Sequence, residues 1–260
     1  MKERSHKMNI DLTGKVAFVT GGTKGIGGAV SEVLAECGAN VAFMARNADD
    51  LKKMETLINS RKGGRALAIQ GDVSDAEALR KAVAKTVNEF GALHVAVNNA
   101  GIAGAPAILH EATIENWRKV MGVNLDGIFY AMKYEITEML KSNGGSIVNI
   151  GSVEGHTILP EFSAYVATKH AITGLTKVTA REYADKGIRI NTVCPGVIRT
   201  PLVEAPGQKE YTDKLELTIP MGRLGEPREI AQTVAFLLSD LSSYTTGVDI
   251  VVDGAFLQRG

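Results

Sequence analysis

The chain has 260 residues, 45% of them hydrophobic, and its 29 basic and 29 acidic residues give a formal net charge of zero. A chain of this length and composition favours one large domain with a substantial core over two small domains. The balanced charge, without a long run of one sign, argues against nucleic acid or an anionic membrane surface as a partner.

Other features of the composition point to an intracellular protein. The two cysteines, Cys37 and Cys194, are too few for a disulfide framework and lack metal-ligand spacing, so no metal site is predicted. No apolar stretch reaches the length of a membrane span, and the polar start lacks the apolar centre of a signal peptide. We therefore expect a cytoplasmic protein with a flexible N-terminal tail at residues 1–10 and a single domain at 11–260.

Strand and helix patterns alternate along the chain. Short runs of apolar and β-branched residues predict strands at residues 15–20, 40–45, 65–70, 93–97, 146–150, 188–193 and 249–252. Helices are predicted through residues 29–34, over 49–60, over 75–90 with Ser74 as the N-cap, and over 126–142 and 163–185. This alternation predicts an α/β Rossmann fold, a doubly wound parallel sheet of about seven strands with helices on both faces. Ligands of such sheets bind beyond the carboxyl ends of the strands.

A glycine-rich turn follows the first predicted strand, where residues 20–27 read TGGTKGIG. Glycines permit positive φ and let the backbone approach a pyrophosphate, whose charge is met by the amides of the following helix. A loose glycine cluster also occurs in simple tight turns. Its position between the first strand and the first helix of an alternating chain favours a dinucleotide site.

The end of the second predicted strand indicates which dinucleotide is bound. An acidic residue at this place commonly holds the ribose 2′-hydroxyl of NAD(H), but this chain carries Arg46. A guanidinium can grip a 2′-phosphate through two hydrogen bonds, and Lys24 in the glycine turn adds a second cation. These residues predict NADP(H), and the alternative is that Arg46 merely covers a surface loop.

Tyr165 and Lys169 stand four residues apart in a predicted helix, so their side chains lie on the same face. An ammonium group beside a phenol favours the phenolate and lowers the pKa of the phenol. The pair could therefore exchange protons with a substrate. The alternative is an exposed lysine beside a packed tyrosine.

In order and spacing, these motifs resemble those of the short-chain dehydrogenase/reductase family over residues 12–254. The glycine turn resembles its TGxxxGxG loop, residues 98–101 its NNAG motif, and Tyr165 with Lys169 its YxxxK motif. The resemblance implies four catalytic residues, namely Asn124, Ser152, Tyr165 and Lys169. It implies cofactor binding by Gly21, Thr23, Lys24, Gly25, Ile26, Gly27, Arg46, Asp72, Val73, Asn98, Ala100, Gly101, Tyr165, Lys169, Pro195, Gly196, Ile198 and Thr200.

The resemblance also implies a reaction, the NADPH-dependent and reversible reduction of a ketone or aldehyde to an alcohol. Ser152 would hydrogen-bond the substrate oxygen, and Tyr165 would exchange a proton with it. Lys169 would lower the pKa of Tyr165 and hold the nicotinamide ribose, while Asn124 would anchor a water molecule. Family members imply a homotetramer built through helices 126–142 and 163–185 and the last strand. Residues 200–219 are predicted to form a mobile lid over a small-molecule substrate.

Two alternatives remain open. A 3-oxoacyl-[acyl-carrier-protein] reductase fits the same motifs, although residues 102–111 read IAGAPAILHE, and Glu135 and Glu138 would repel an acidic carrier protein. A catalytically silent NADP(H)-sensing regulator would keep the fold without the chemistry. In the loop after Ser152, Glu154 either lines the substrate pocket or is merely solvated, and it is not predicted to be catalytic.

Overall fold

The computed structural model describes residues 10–201, 203 and 209–258, and at residues 209–212 the backbone alone. Its strands are β1 (Val16–Thr20), β2 (Asn40–Ala45), β3 (Ala66–Gln70), β4 (Val95–Asn98), β5 (Gly145–Ile150), β6 (Ile188–Pro195) and β7 (Asp249–Val252). They form one parallel sheet in the order β3-β2-β1-β4-β5-β6-β7. The predicted α/β class and doubly wound parallel sheet are confirmed.

Helices cover both faces of the sheet. They are α1 (Gly25–Glu36), α2 (Ala48–Asn59), α3 (Ala76–Phe90), α4 (Ile114–Met121), α5 (Gly127–Met139), α6 (Ser163–Tyr183), α7 (Lys209–Glu216) and α8 (Pro227–Leu238). On one face α1, α2 and α8 bury apolar side chains such as Leu34 and Val234. On the other face α3, α5 and α6 bury side chains such as Leu79 and Ile172. Burial on both faces explains why the strands read as continuous apolar runs.

The order of the strands reverses beside β1. β1 pairs with β2 on one side and with β4 on the other, and the chain builds the sheet outward in both directions from this point. The loops that follow β1 and β4 therefore leave toward opposite faces of the sheet. A crevice opens between such loops at the carboxyl edge, where this class of sheet binds ligands.

One long helical stretch carries Asn124. α4 continues through a π-helical segment, Gly122–Asp126, into α5, and a 3-10 turn at Leu140–Ser142 ends the stretch. The sequence predicted only residues 126–142 of it, because the polar α4 and the glycines at 122 and 127 hide the helical periodicity. Gly127 reflects close packing, since a Cβ there would lie 3.2 Å from the carbonyl oxygen of Val73.

The N-cap of α3 is Asp75, and the prediction of Ser74 is wrong. Asp75 Oδ1 accepts hydrogen bonds from the backbone N–H groups of Glu77 (2.9 Å) and Ala78 (3.2 Å). Ser74 instead donates its hydroxyl to Asp72 over 2.8 Å. Both residue types are good caps, so the residue types alone could not decide between neighbours.

We expect Asp75→Ala to destabilise the protein by about 1 kcal/mol, because two first-turn amides lose their acceptor. In a chain of this size such a loss lowers the midpoint of thermal unfolding by roughly 2–4 °C. Ser74→Ala is the matched control and should lower the midpoint by less. Equal shifts in the two variants would contradict the assignment of the cap.

Two sequence predictions fall partly outside the described residues. These are residues 1–9 of the predicted tail and residues 202 and 204–208 of the predicted lid. Within the predicted lid, α7 forms an ion pair with the loop that follows β6. In this pair Glu216 Oε1 lies 3.1 Å from Arg199 Nη2. No helix in the described ranges is both long and apolar enough to cross a membrane.

Candidate active site

The glycine loop after β1 is fastened to the loop after β4. Thr20 Oγ1 accepts hydrogen bonds from the backbone N–H groups of Asn99 (3.0 Å) and Ala100 (3.2 Å). The Asn99 side chain donates to the carbonyl oxygens of Thr20 and Gly21, both over 3.2 Å. Glycine is required at position 21, where φ is 66° and a Cβ would lie 2.8 Å from Asn99 Nδ2. The protein itself therefore fixes the shape of this loop.

The N-terminus of α1 is open toward the crevice. Its N-cap residue, Lys24, makes no side-chain hydrogen bond to the first turn, which also contains no acidic residue. By contrast, α2, α3 and α4 are capped by the side chains of Asn47, Asp75 and Thr113. The free amides and the positive end of the α1 dipole attract an anion. This set of donors fits a pyrophosphate.

A cleft of about 540 Å³ lies at the carboxyl ends of β1, β2 and β4. Its volume is that of a typical small-molecule or cofactor site. The predicted cofactor residues that line it are Gly21, Thr23, Lys24, Gly25, Ile26, Arg46, Asp72, Val73, Ala100, Gly101 and Thr200. Further lining residues that the sequence did not single out as binding residues are Met44, Ala45, Asn47, Asp50, Gly71, Asn99, Ile102, Val123 and Pro201.

Charges of both signs meet at the Arg46 end of the cleft. Within the described residues, no carboxylate lies within 4 Å of the Arg46 guanidinium. Lys24 is paired, since its Nζ lies 2.6 Å from Asp50 Oδ2. Partial burial raises the pKa of Asp72, but hydrogen bonds from Ser74 and the charge of Arg46 outweigh it and lower that pKa. Two cations and two carboxylates thus border the place where a 2′-phosphate would bind.

Asn98 faces the protein interior and does not line the cleft. Its Nδ2 donates to Glu135 Oε2 and to Asn149 Oδ1, both over 3.0 Å. Burial raises the pKa of Glu135 to about 8, so this carboxyl group holds a proton at neutral pH. Among the described residues, Asn98 Oδ1 and Glu135 Oε1 find no hydrogen-bond partner. The other three residues of this motif, Asn99, Ala100 and Gly101, line the cleft.

Other predicted cofactor residues also lie away from this cleft. Gly27 packs α1 against the glycine loop, since a Cβ there would lie 2.2 Å from the carbonyl oxygen of Gly21. Pro195 ends β6, and the next residue, Gly196, lies against Asp253. Ile198 is buried, and its backbone pairs with that of Gly225 in a single parallel β-type pairing outside the sheet.

Tyr165 and Lys169 lie in the first turns of α6, which begins at Ser163. The ammonium group faces the phenol ring, with Lys169 Nζ 5.4 Å from the ring centroid. The same Nζ donates to the carbonyl oxygen of Ile150, the last residue of β5, over 3.0 Å. The lysine is almost fully buried, at 6% exposure. The spacing of four residues therefore brings the two side chains together, as the sequence predicted.

Ser152 follows β5 and joins the same group. It is buried, and its hydroxyl lies near enough to Tyr165 to act on the pKa of the phenol. Its hydroxyl also donates to Glu154 Oε2 and accepts from the backbone N–H of Glu154 over 3.3 Å. Glu154 is therefore in contact with the candidate catalytic serine, although the sequence could not separate this role from plain solvation.

Asn124 links the group to the cleft. The π-helical segment carries this side chain to the Ile102 backbone, where Oδ1 accepts from N–H (2.8 Å) and Nδ2 donates to the carbonyl oxygen (2.9 Å). Nδ2 also donates to Thr168 Oγ1 over 3.3 Å. Because Ile102 lines the cleft, Asn124 holds the cleft wall against the helix that carries Tyr165.

The electrostatics of the pair differ from the prediction. Burial raises the pKa of Tyr165 to about 12, the hydrogen bond with Ser152 acts against this, and the charge of Glu154 adds to it. Burial also lowers the pKa of Lys169 to about 8. The lowered pKa that the sequence predicts for Tyr165 is therefore not found in this structure, because desolvation of the phenol is the largest effect.

Across the described ranges, no three His, Cys, Asp or Glu side chains cluster as metal ligands. The hydroxyl of Ser152, the phenol of Tyr165 and the ammonium of Lys169 are groups that suit proton exchange.

Comparison with known proteins gives a consistent picture. A family model described as Enoyl-(Acyl carrier protein) reductase matches residues 21–256. The chain is 45% identical over 252 residues to a cyclohexanol dehydrogenase from Acinetobacter sp. (strain SE19), covering 97% of this chain and 98% of that one. It is 41% identical over 249 residues to an NADP-dependent (R)-specific alcohol dehydrogenase from Lentilactobacillus kefiri, covering 94% and 97%.

Solved structures agree with the sequence relatives. A short-chain type dehydrogenase/reductase from Mycobacterium marinum superimposes with a TM-score of 0.89 at 37% identity, covering 95% of this chain and 97% of that one. A shared fold at this identity extends over nearly the whole of both chains.

Proposed function

Because this chain belongs to the short-chain dehydrogenase/reductase family and is an oxidoreductase of alcohols and carbonyls, we propose that it uses NADP(H) and acts on secondary alcohols and ketones. The observation that carries the proposal is the meeting of Ser152, Tyr165 and Lys169 at the end of β5, beside a cleft with an open helix N-terminus. The relatives named for cyclohexanol and for (R)-specific alcohols support a secondary alcohol about the size of cyclohexanol as the substrate.

The proposed cofactor, when bound, would supply or accept the hydride. The α1 amides and the glycine loop would hold its pyrophosphate, and Arg46 would meet its 2′-phosphate. Ser152 orients the substrate oxygen. Tyr165 donates a proton to this oxygen in reduction and removes it in alcohol oxidation. Lys169 keeps a positive charge beside the phenolate that forms when Tyr165 gives up its proton. Asn124 holds the Ile102 segment of the cleft wall against α6.

The decisive experiment compares NADPH with NADH as cosubstrates for cyclohexanone, acetophenone, a β-ketoester and a 3-oxoacyl thioester. We expect turnover of the cyclic ketone, with a higher kcat/KM for NADPH. Equal or better use of NADH would contradict the roles proposed for Lys24 and Arg46. Turnover of none of the carbonyl compounds would favour the silent regulator.

We expect Asp50→Asn to strengthen the binding of NADPH by roughly 2- to 5-fold, the value of an exposed ion pair. The substitution frees the ammonium of Lys24 for the 2′-phosphate and leaves NADH binding nearly unchanged. The measurement is the Kd of each dinucleotide by titration calorimetry at low salt.

Asp49→Asn is the matched control for this experiment. It removes the same charge from the same turn of α2 without touching Lys24. Equal effects of the two substitutions would show that only the net charge of the turn matters.

A 3-oxoacyl-[acyl-carrier-protein] reductase is a second candidate, because the description of the matching family model, although it names an enoyl group, also refers to a substrate on an acyl carrier protein. The repulsion of a carrier protein that the sequence predicts for Glu135 is wrong. Glu135 is fully buried and cannot repel a carrier protein, whereas Glu138 reaches the surface beside Lys141. The 3-oxoacyl thioester in the cosubstrate experiment tests this candidate directly.

We also propose a homotetramer. Large apolar side chains are exposed on α5 and α6, as at Phe129 (51%) and Val178 (51%), and near β7, as at Tyr244. Exposed apolar side chains on adjoining elements mark association surfaces. Sedimentation equilibrium measures the mass, and a monomer at micromolar concentration would contradict the proposal.

A further inference from the structure

The carboxylate of Glu154 lies beside the reacting groups without a cation of its own. It belongs to a 3-10 turn, Val153–Gly155, that follows β5. Its Oε2 accepts the hydroxyl proton of Ser152. Throughout the described ranges, no Lys, Arg or His nitrogen lies within 4 Å of it. A half-buried carboxylate offers about four lone-pair sites, and one protein side chain donates to it here.

The single proton of Ser152 limits what this serine can do. A hydroxyl donates one hydrogen bond and accepts two. While the proton points to Glu154, Ser152 can accept a hydrogen bond from a substrate alcohol but cannot donate one to a ketone oxygen. Another donor to Glu154 would remove this restriction, because it would satisfy the carboxylate and release the serine proton toward the reacting oxygen.

Distance restricts where that donor can lie. Two hydrogen bonds of about 2.7 Å join the reacting oxygen to Ser152 Oγ and Oγ to the carboxylate. The reacting oxygen therefore lies within about 5.5 Å of Glu154 Oε2. A hydroxyl on the carbon next to the reacting carbon can therefore reach Glu154 while the reacting oxygen remains hydrogen-bonded to Ser152.

The charge of the site favours a neutral donor. Burial lowers the pKa of Lys169, and the nearby carboxylate of Glu154 acts against this lowering. A second ammonium group on the substrate would be repelled by Lys169. A purely apolar substrate would cover the carboxylate and leave its free lone pairs without hydrogen bonds. Binding of such a substrate is disfavoured, because burying an unpaired polar group costs free energy.

We propose that Glu154 selects substrates with a hydroxyl next to the reacting carbon, namely vicinal diols in oxidation and α-hydroxy ketones in reduction. The proposal rests on the proposed function. In the oxidation, the carbon–hydrogen bond breaks and its electron pair leaves as hydride to NADP⁺. The proton of the reacting hydroxyl passes to the Tyr165 phenolate. The second hydroxyl keeps its proton, which it shares with Glu154.

The test uses kcat/KM for 1,2-cyclohexanediol and 2-methoxycyclohexanol, with saturating NADP⁺. The ether has the same ring and the same reacting hydroxyl, but its second oxygen carries a methyl group and has no proton to donate. Wild-type protein should prefer the diol by about 10-fold or more, as expected for a hydrogen bond to a charged group. Glu154→Leu should bring the ratio near one, and Glu154→Gln, which keeps a neutral acceptor, should give an intermediate ratio.

His156→Gln is the control in the same loop, because this imidazole contacts Cys194 (Nε2 to Sγ, 3.5 Å) and not Ser152. It should keep the wild-type ratio. Equal midpoints of thermal unfolding would exclude a folding defect in the Glu154 variants.

Each result has a distinct meaning. Turnover of cyclohexanol with a diol-to-ether ratio near one in the wild type would overturn this inference and leave the proposed function standing. A preference for 2-aminocyclohexanol over the diol would overturn the assignment of a hydroxyl. Wild-type protein that turns over no alcohol and no ketone would overturn both proposals.

Discussion

Replacing Tyr165 with phenylalanine is expected to lower kcat/KM for cyclohexanone by about 10²- to 10⁴-fold, the usual contribution of a positioned acid/base group. The substitution removes only the hydroxyl, which we propose exchanges a proton with the substrate. The ring over Lys169 remains, so the helix and the cleft keep their shape. Initial rates with NADPH measure the loss. The Kd of NADPH, obtained by fluorescence titration, should change by less than about threefold.

The chain supplies a matched control for this result. Tyr183 lies on the same helix, and Lys186 Nζ is 5.3 Å from its ring centroid, close to the 5.4 Å between Lys169 Nζ and the ring of Tyr165. This second pair lies at the other end of α6, far from the cleft. Tyr183→Phe should therefore keep wild-type activity. A Tyr165→Phe variant within threefold of the wild type would contradict the proposed mechanism.

Glu135→Gln is expected to make the protein more stable above neutral pH. Glu135 has a pKa of about 8 in the folded chain and 4.5 as its ordinary value. Between these two values the unfolded chain has lost the proton and the folded chain still holds it. Stability from this group is therefore complete below pH 4.5 and is lost as the pH rises toward 8, by up to about 1.4 kcal/mol per pH unit.

Glutamine cannot ionise, so the variant lacks this loss. We expect the two proteins to differ little at pH 5 and the variant to be more stable by up to about 4 kcal/mol at pH 8. Urea unfolding at equal protein concentration and at several pH values measures the difference. Glu138→Gln, on the same helix but paired with Lys141 at the surface, should show no such trend. Parallel pH curves for wild type and Glu135→Gln would contradict the buried proton.

The fold and the main site elements were predictable because short-range patterns determine them. Continuous apolar strands require a sheet that is covered on both faces, and a glycine loop before the first helix marks its carboxyl edge. The spacing of Tyr165 and Lys169 is a property of any helix. These features depend on a few neighbouring residues, which a sequence displays directly.

The remaining features depend on contacts between distant parts of the chain. The burial of Glu135 arises where α5 meets β4 and β5, and nothing in its own helix distinguishes it from Glu138, whose side chain is partly exposed. The high pKa of Tyr165 reflects the solvent excluded by packing. The π-helical segment and the choice of Asp75 as a cap depend on backbone geometry that several residue types would allow.

The uncapped first turn of α1 makes the stability of the folded protein depend on the concentration of its ligand. Amides that no side chain satisfies are free to bind a phosphate group, and only the folded chain presents them together. By mass action, a dinucleotide at 100 times its Kd would add about 2.7 kcal/mol to the free energy of unfolding. Resistance to heat and proteases should then rise and fall with the cellular pool of that nucleotide.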